Sequence, residues 1–371
     1  MRVGCPKEIK NHEYRVGLTP GAVREYVAHG HEVVVETGAG AGIGADDAAY
    51  AAAGAAIAAS AAEIFAACDM IVKVKEPQPQ EWAQLREGQI LYTYLHLAPD
   101  PAQARGLVES GVTAVAYETV TDDRGGLPLL APMSEVAGRL AIQAGATALQ
   151  KANGGRGVLL GGVPGVAPGR VAVLGGGVVG TNAARMAVGL GAEVAVIDRS
   201  IPRLRQLDEM FGGRVRTRYA TVEALEEECL AADVVVGAVL IPGAAAPKLV
   251  GREMLRAMRK GTVLVDVAID QGGCFETSRP TTHAEPTYEV DGIVHYCVAN
   301  MPGAVPVTSA QALNNATLRH GLALADRGLK ALADDPHLMD GLNVHRGRIT
   351  NRAVAEALGY EAAEPEAVLA A

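Results

Sequence analysis

The stretch Val171-Ala172-Val173-Leu174-Gly175-Gly176-Gly177-Val178-Val179-Gly180 contains the motif that decides the fold. Four apolar residues predict a buried strand, and three glycines follow at the GxGxxG spacing before a predicted helix over Thr181 to Leu190. The first glycine permits a tight turn, the second lets the backbone approach a pyrophosphate, and the third lets the helix pack on the strand. The helix N-terminus then faces the phosphates. We expect cofactor contacts from Gly175, Gly177, Val178 and Gly180.

An acidic residue stands where a ribose-binding carboxylate is expected. The predicted strand Glu193 to Ile197 is followed by Asp198, at the spacing of about 20 residues typical of dinucleotide-binding folds. A carboxylate there accepts hydrogen bonds from the ribose hydroxyls and repels the additional phosphate of NADP, so we expect NAD as the cofactor. Arg199 and Arg203 are the counter-evidence, since either guanidinium could turn toward that phosphate.

The length of the chain predicts two domains. Single hydrophobic cores stop growing at about 250–300 residues, and this chain has 371. Apolar runs alternate with helical stretches on both sides of the glycine turn, which predicts an α/β fold of two Rossmann-like doubly wound parallel-sheet domains joined by long helices, with a cleft between them. We place a discontinuous substrate or catalytic domain at 1–130 and 306–371, and the NAD-binding domain at 131–305.

The predicted elements follow from apolar periodicity and from capping residues. The predicted strands are Arg2 to Cys5, His31 to Glu36, Met70 to Val74, Gln89 to Leu95, Val112 to Tyr117, Val171 to Leu174, Glu193 to Ile197, Val234 to Val239, Thr262 to Val267 and Ile293 to Val298. Other predicted helices run from Thr19 to Gly30, over Ala48 to Ala67, from Pro99 to Gly111, and over Ser134 to Ala152 with Ser134 as the cap. The tail after Pro306 is predicted to contain helices (Gln311 to Ala333, Val354 to Leu358), to lack the strands to fold as its own sheet, and to return to the first domain.

Composition excludes several classes of protein. Apolar residues make up 49% and charged residues 20% of the chain, which indicates a globular protein. The formal net charge of -9 disfavours a nucleic-acid partner. Uncharged runs such as Val234 to Pro247 are interrupted by Gly and Pro and are shorter than the roughly 20 residues of a membrane span, and the charged N-terminus does not resemble an export signal, so we expect a soluble cytoplasmic protein. The five scattered cysteines and nine histidines show no disulfide or metal-ligand spacing, so we expect no metal.

Polar side chains follow the predicted strands at the edge where ligands bind in open α/β sheets. In the first domain these are Arg15, Lys75 and His96; in the second they are Asp198, Leu240, Asp270 and Asn300. Arg15 offers a planar fork for a carboxylate, Lys75 a point charge, and His96 a group that exchanges a proton near neutral pH. Each has a structural alternative when taken singly: a solvated cation, a histidine satisfied at a strand end, an aspartate capping the loop Gln271 to Gly273. Their joint placement favours a site for a small anionic substrate.

Longer motifs carry a resemblance to a known family. They are Glu13-Tyr14-Arg15-Val16, Lys73-Val74-Lys75-Glu76-Pro77, Tyr94-Leu95-His96-Leu97, Leu130-Ala131-Pro132-Met133-Ser134-Glu135-Val136-Ala137-Gly138-Arg139 and Asp266-Val267-Ala268-Ile269-Asp270-Gln271-Gly272-Gly273. Together they closely resemble the alanine dehydrogenase/pyridine nucleotide transhydrogenase family, across essentially the whole chain. The resemblance implies an oxidoreductase that deaminates L-alanine reversibly to pyruvate and ammonia with NAD.

The resemblance also implies roles for individual residues. Arg15 and Lys75 match the substrate-binding pair, and His96 and Asp270 match the catalytic residues, with His96 as acid/base and Asp270 assisting water and imine chemistry. Tyr94, Leu130 and Met133 could wall a pocket for one methyl group. The implied cofactor contacts are Ser134, Asp198, Arg203, Val239, Leu240, Val267, Ala268, Ile269, Asp270, Val298, Ala299, Asn300 and Met301.

Two positions depart from the family pattern. Ala220 stands where a serine is frequent, which predicts weaker NAD binding by about 0.5–1.5 kcal/mol, the contribution of one hydrogen bond. Arg203 stands where lysine is frequent, which keeps the charge and changes the geometry.

Two other functions remain open at this point. One is an α-subunit-like part of a proton-translocating transhydrogenase, which would bind NAD without deaminating an amino acid. The other is a non-catalytic NAD sensor. The resemblance further implies a homo-oligomer, usually a homohexamer, and small-molecule partners only.

Overall fold

The computed structural model describes residues 1–239 and 246–370. The chain forms two compact units, one comprising Met1–Met133 with Val305–Ala371 and the other comprising Ser134–Ala304. Within the described residues, no helix has both the length and the apolar character that crossing a bilayer requires.

The strands are numbered in chain order. They are β1 Arg2–Cys5, β2 Glu32–Glu36, β3 Ala56–Ala58, β4 Met70–Val72, β5 Ile90–Thr93, β6 Thr113–Ala116, β7 Arg170–Leu174, β8 Glu193–Asp198, β9 Val215–Tyr219, β10 Val234–Gly237, β11 Val263–Asp266, β12 Thr287–Val290, β13 Ile293–Tyr296, β14 Leu342–His345 and β15 Arg348–Ile349.

The α-helices are numbered in the same way. They are α1 Pro20–Ala28, α2 Asp47–Ala52, α3 Ala61–Ala67, α4 Pro79–Trp82, α5 Pro101–Ser110, α6 Ala131–Ala148, α7 Val178–Gly189, α8 Ile201–Phe211, α9 Val222–Ala231, α10 Arg252–Ala257, α11 Pro306–Arg327, α12 Lys330–Asp334, α13 Pro336–Met339, α14 Arg352–Leu358 and α15 Pro365–Ala370. Prolines in the first turn begin several of them, since proline lacks only an N–H that has no helical partner there.

Both units are built on a mainly parallel sheet with the same strand order. The first sheet runs β15-β14-β6-β5-β4-β1-β2-β3, and the second runs β12-β13-β11-β10-β7-β8-β9. Within each, the chain starts at a central strand, adds two strands on one side and then crosses to add three on the other, the order described for dinucleotide-binding sheets. Antiparallel strands extend one edge of each sheet, β14 and β15 in the first and β12 in the second. The expected α/β fold class is confirmed.

Hydrophobic cores lie against these sheets. In the first unit Leu91, Leu107 and Ile71 pack with Val344 and Val354, which are supplied by the tail of the chain. In the second unit Val173, Val196 and Val236 pack with the glycine- and alanine-rich side of α7, and Leu174, Val235 and Leu264 face a separate cluster. Because strands of parallel sheets are buried on both faces, they appear in sequence as continuous apolar runs.

The predicted helix over Ala48 to Ala67 is wrong. The chain forms α2, turns at Gly54 with φ +98°, adds the parallel strand β3 beside β2, and then forms α3 with Ser60 as its cap. A run of alanines carries little periodicity, so helix propensity predicts one helix where pairing with β2 favours a strand.

The secondary structure differs from the predictions at three further places. The tail contains β14 and β15, an antiparallel hairpin at the edge of the first sheet. The long helix α6 begins at Ala131, with Ser134 inside its first turns, so Ser134 is not its cap. The strands β9 and β12, at opposite edges of the second sheet, are not among the predicted strands; their half-exposed residues lack a continuous apolar run.

Candidate active site

In the first unit, the loops that follow β1, β4, β5 and β6 all leave the same edge of the sheet, because these strands are parallel. Arg15, Lys75 and His96 lie in three of these loops, and Glu118 lies in the 3-10 turn Tyr117–Thr119 that follows β6. The order reverses between β1 and β4, and ligands bind at such a point in open α/β sheets. The fold therefore collects these groups at its ligand-binding edge.

Arg15 is buried and paired with a buried carboxylate. Its Nε donates to Glu13 Oε1 at 2.7 Å and its Nη2 to Glu13 Oε2 at 2.5 Å, while Nη1 contacts Met133 Sδ at 3.0 Å. Side-chain exposure is 2% for Arg15 and 0% for Glu13. Glu13 thus occupies the edge of the guanidinium that Nε and Nη2 form.

Lys75 is nearly buried beside Glu76. Its Nζ lies 3.4 Å from Glu76 Oε2, and Lys10 contacts the other oxygen of that carboxylate. Burial raises the pKa of Glu76, but the positive charges of Lys75, Lys10 and His96 lower it below its ordinary value. The carboxylate therefore remains ionised and balances the positive charge of Lys75.

A second buried ion-pair group fixes the backbone that carries Lys75. Lys73 Nζ lies 3.0 Å from Glu8 Oε2 and 2.8 Å from Glu81 Oε1, and its side chain is fully buried. Burial lowers the pKa of Lys73, but the two carboxylates raise it well above its ordinary value, so the amine is charged. Glu8 Oε1 accepts the N–H groups of Val74 at 2.7 Å and Lys75 at 3.4 Å.

His96 is the most exposed of the three predicted residues. Its side chain is 42% exposed, and its backbone is left-handed, with φ +48°. Glu118 Oε1 accepts the His96 N–H at 2.6 Å, and the His96 ring stacks on Tyr94 with 5.7 Å between centroids and 7° between planes. The Tyr94 hydroxyl donates to the Leu129 carbonyl at 2.6 Å, and burial raises the pKa of Tyr94 far above neutrality. The Tyr94 hydroxyl therefore keeps its proton near neutral pH.

In the second unit, the glycine turn has the geometry of a phosphate-binding loop. Gly175 has φ +102°, and a Cβ there would lie 2.7 Å from the Ala238 carbonyl oxygen; a Cβ on Gly180 would lie 1.8 Å from the Gly175 carbonyl oxygen. Gly177 is the N-cap residue of α7, and a Cβ on it would have no heavy atom of the described residues within 4 Å. The first and third glycines are thus required by the fold, whereas the second borders open space beside the first N–H groups of α7. These features fit a pyrophosphate.

Asp198 and Arg203 lie against the same turn. Asp198 Oδ2 accepts the Gly176 N–H at 2.7 Å and Oδ1 accepts the Ser200 N–H at 2.8 Å. Arg203 donates to the Gly176 carbonyl and to the Thr181 hydroxyl, both at 2.6 Å. Arg203 therefore stabilises the turn from α8. The backbone N–H of Ala220 donates to the Asp198 carbonyl at 3.1 Å, which places Ala220 beside this corner.

The loop that carries Asp270 is held by a buried aspartate. Asp266 Oδ1 accepts the Ala268 N–H at 3.1 Å, Oδ2 accepts the Cys274 N–H at 2.8 Å, and the Ser278 hydroxyl contacts Oδ2. Asp270 itself is exposed on the 3-10 turn Ile269–Gln271. The loop after β13 is likewise ordered: Asn300 has φ +62°, and His283 Nε2 lies 3.1 Å from its carbonyl oxygen. Within the described residues, no group of three or more His, Cys, Asp or Glu is arranged to hold a metal ion.

Family comparisons cover nearly the whole chain. Residues 4–137 match the alanine dehydrogenase/PNT N-terminal domain, and residues 141–352 match the alanine dehydrogenase/PNT C-terminal domain. The chain belongs to the alanine dehydrogenase/PNT family. The resemblance carried by the motifs is therefore confirmed, and the chain is related to oxidoreductases along its full length.

Individual members of the alanine dehydrogenase/PNT family are similar to different degrees. An alanine dehydrogenase from Halomonas elongata is 62% identical over 370 residues, covering 100% of both chains. A solved structure of an L-alanine dehydrogenase has a TM-score of 0.94 and 53% identity, covering 97% of this chain and 99% of that chain. A transhydrogenase structure from Sinorhizobium meliloti has a TM-score of 0.81 and 25% identity, covering 95% of this chain and 100% of that chain.

The structure places the predicted residues of this family member in two groups. Arg15, Lys75 and His96 share the edge of the first sheet, and the described residues predicted to bind the cofactor after β7, β8, β10, β11 and β13 share the edge of the second. Ser134 lies in α6, and Leu240 lies outside the described residues.

Sequence reasoning missed Glu13, Glu118 and Asp266 as functional candidates. Glu118 and Asp266 adjoin predicted strand ends, a signal that could have found them.

Proposed function

We propose that the chain is an NAD-dependent alanine dehydrogenase, which deaminates L-alanine oxidatively and reversibly to pyruvate and ammonia. The supporting observation is the joint placement of Arg15, Lys75 and His96 at one sheet edge in a chain 62% identical to an alanine dehydrogenase over its full length. A small amino acid needs a cationic site for its carboxylate and a proton-transfer group, and this edge supplies both.

Arg15 and Lys75 are the proposed substrate-binding residues. Both cations are buried or nearly so, which strengthens their attraction for a substrate carboxylate relative to a solvated pair. Glu13 holds Arg15 by the Nε edge, and Glu76 and the backbone bonds of Glu8 hold Lys75, so both cations are pre-organised. Tyr94 and Met133 lie beside these cations and are proposed to border the substrate methyl group.

His96 and Asp270 are the proposed catalytic residues. NAD, when bound, accepts a hydride from the alanine Cα. Loss of that hydride and of one proton from the substrate ammonium group leaves a protonated imine, which water attacks at Cα before the C–N bond breaks and ammonia leaves. His96 accepts and returns the protons of the amine and the attacking water, and the Asp270 carboxylate stabilises the positive charge on the imine nitrogen.

The second unit is proposed to bind NAD, and the first to bind the amino acid. Asp198 accepts hydrogen bonds from the ribose hydroxyls, and the first turn of α7 faces the pyrophosphate. The remaining proposed contacts are Ser134, Gly175, Gly177, Val178, Gly180, Arg203, Val239, Leu240, Val267, Ala268, Ile269, Asp270, Val298, Ala299, Asn300 and Met301.

The test is a spectrophotometric screen of amino acids with NAD and with NADP. We expect reduced NAD from L-alanine and little activity with NADP. His96→Ala should lose at least about 100-fold in activity, the size of a general acid–base contribution, and Lys75→Ala should raise KM for L-alanine because it removes a substrate-binding charge. Lys151→Ala, an exposed lysine of the second unit, is the matched control and keeps full activity. Activity with no small amino acid would contradict the proposal and leave a nucleotide carrier of the transhydrogenase type.

We also propose that the enzyme acts in the cytoplasm as a homohexamer. Family membership supports both proposals. Multi-angle light scattering of the purified chain should give six chain masses. A monomer at micromolar concentration would refute the proposed hexamer and leave the proposed activity unaffected.

A further inference from the structure

His96 lies in a conformation that its own sequence does not favour. Its φ of +48° places a residue with a Cβ in the left-handed region, three residues after the end of β5. A non-glycine residue in this region is strained and persists only where the surroundings hold it. The strained residue is the one proposed as the acid/base, so the contacts that hold its backbone conformation affect catalysis.

The side chain of Glu118 supplies the contacts that hold this turn. Its Oε1 accepts the N–H of His96 at 2.6 Å, and its two oxygens lie 3.1 Å and 3.2 Å from the N–H nitrogen of Leu95. Hydrogen bonds to a carboxylate are about twice as strong as those between neutral groups. Glu118 is itself fixed, because its 3-10 turn continues β6, which pairs with β5 along Ile90 to Thr93.

The same carboxylate also faces the imidazole ring. Glu118 Oε1 lies 3.9 Å from His96 Nδ1, a distance for electrostatic attraction and not for a hydrogen bond. Tyr94 stacks on the ring, and the charge of Glu76, which also pairs with Lys75, interacts with it. A negative charge beside Nδ1 favours the tautomer that carries its proton there, which leaves Nε2 as the proton acceptor.

We propose that Glu118 is a positioning residue for His96, which fixes its left-handed backbone and sets the orientation and proton affinity of its ring. The proposal rests on the function proposed for His96. Glu118 does not touch substrate in this assignment; it acts through His96, as carboxylates that orient catalytic or metal-binding histidines do elsewhere.

The test uses a graded set of variants in the full chain. Glu118→Gln keeps the size and one oxygen acceptor but removes the charge, and Glu118→Ala removes both. Glu109→Gln makes the same chemical change on an exposed residue near the C-terminal end of α5 and serves as the matched control. Circular dichroism and NAD binding verify that each variant is folded.

The expected loss of kcat for L-alanine is about tenfold in Glu118→Gln and about 100-fold in Glu118→Ala, with KM changed less than kcat. The acidic limb of the kcat/KM profile should also move in Glu118→Gln. Because removing the negative charge disfavours protonated imidazole, the limb moves to lower pH, by about half a pH unit for a partly exposed pair. Loss of folded protein alone would lower activity without moving this limb.

A double-mutant cycle tests whether Glu118 acts through His96. In a His96→Ala background, Glu118→Gln should lower kcat by less than about twofold, since residues that act as a unit are not additive. A full tenfold loss in that background, or an unmoved pH limb in Glu118→Gln, would overturn the proposal. Absence of alanine oxidation in the unmodified chain is a separate result, and it would refute the proposed function itself.

Discussion

Arg15, Lys75 and His96, at the edge of the first sheet, each lie beside a carboxylate. Glu13 pairs with Arg15, Glu76 with Lys75, and Glu118 with His96. The pairs are graded by burial: the Arg15 pair is almost fully enclosed, and His96 is 42% exposed. Enclosed groups hold their geometry at a cost in desolvation, whereas the exposed imidazole remains accessible to protons and water.

The Arg15–Glu13 pair makes a prediction about stability. Glu13→Ala should lower the free energy of unfolding by about 3–5 kcal/mol, because it leaves a buried guanidinium without its partner. The same change should raise KM for L-alanine, since Arg15 is no longer held. Urea unfolding followed by circular dichroism measures the first effect. Glu109→Ala, exposed on α5, is the control, and a loss below about 1 kcal/mol in Glu13→Ala would contradict the prediction.

The sequence predicts which residues reach the edge, but not what holds them. Lys75 and His96 follow apolar runs, and the rule that ligands bind beyond strand ends is enough to select them. Glu118 contacts His96 only because β6 pairs with β5, and that neighbour relation is a property of the sheet. Glu13 folds back on Arg15 within two residues, through a loop conformation that residue types alone do not specify.

At the scale of elements, the turn from β7 into α7 brings helix and strand into direct backbone contact. The Cα of Gly180 faces the Gly175 carbonyl so closely that a Cβ there would lie 1.8 Å from its oxygen. Backbone cannot yield as a flexible side chain does, so a methyl group at this position must separate α7 from β7. The N-terminal N–H groups of α7 would move with the helix.

Gly180→Ala should therefore abolish NAD binding and destabilise the chain. The matched control is Gly189→Ala in the same helix, where a Cβ meets no heavy atom of the described residues within 4 Å. That change should leave NAD affinity intact and raise stability by up to about 1 kcal/mol, because alanine loses less entropy than glycine in a helix. Isothermal titration with NAD and thermal unfolding distinguish the two. Equal NAD affinity in both variants would show that the close approach is unimportant.

Element prediction succeeded where side chains carry a pattern and failed where they do not. The apolar runs of β1 and β7 gave strands with bounds that differ from the observed ones by at most one residue. In the alanine-rich stretch from Ala48 to Ala67, strand β3 owes its existence to the open edge of β2, a partner distant in sequence. Hairpin β14–β15 likewise depends on the edge of β6, and its few residues offer no periodicity to detect.

At the scale of the molecule, the first unit is assembled from both ends of the chain. Thr19 donates its N–H to Asn314 Oδ1 at 2.8 Å, and the Tyr92 hydroxyl donates to the Thr317 carbonyl at 3.1 Å, so α11 is bonded to both the first loop and the sheet. Asp326 at the end of α11 contacts His29 Nδ1 at 3.0 Å and His31 Nε2 at 2.8 Å. These contacts between residues far apart in sequence make the tail part of the first unit.

The Asp326 contacts predict a pH dependence of stability. Burial raises the pKa of Asp326, but hydrogen bonds and charges of His29 and His31 together lower it below its ordinary value of 3.8. A carboxyl group with a depressed pKa in the folded state stabilises the protein above its unfolded pKa, and this stabilisation is lost as pH falls through the folded value. Asp326→Asn should therefore be less stable than the unmodified chain above about pH 4, with the gap narrowing below it.

Thermal unfolding between neutral and acidic pH measures that gap. Asp208→Asn, at an exposed position of α8, is the control and should show no such gap. A gap of constant size across the acidic range would mean that Asp326 acts through packing and not through its charge.

The two sheets share a strand order but differ in the connection that follows their first strand. After β7 a turn of three glycines leads directly into α7, and its backbone N–H groups are the ones proposed to bind a phosphate. After β1 the equivalent connection is the long loop Pro6 to Thr19, which reaches α1 only at Pro20. This loop brings charged side chains to the ligand-binding edge of the first sheet. The two connections thus present different chemical groups at equivalent edges of similar sheets: backbone N–H groups after β7 and charged side chains after β1.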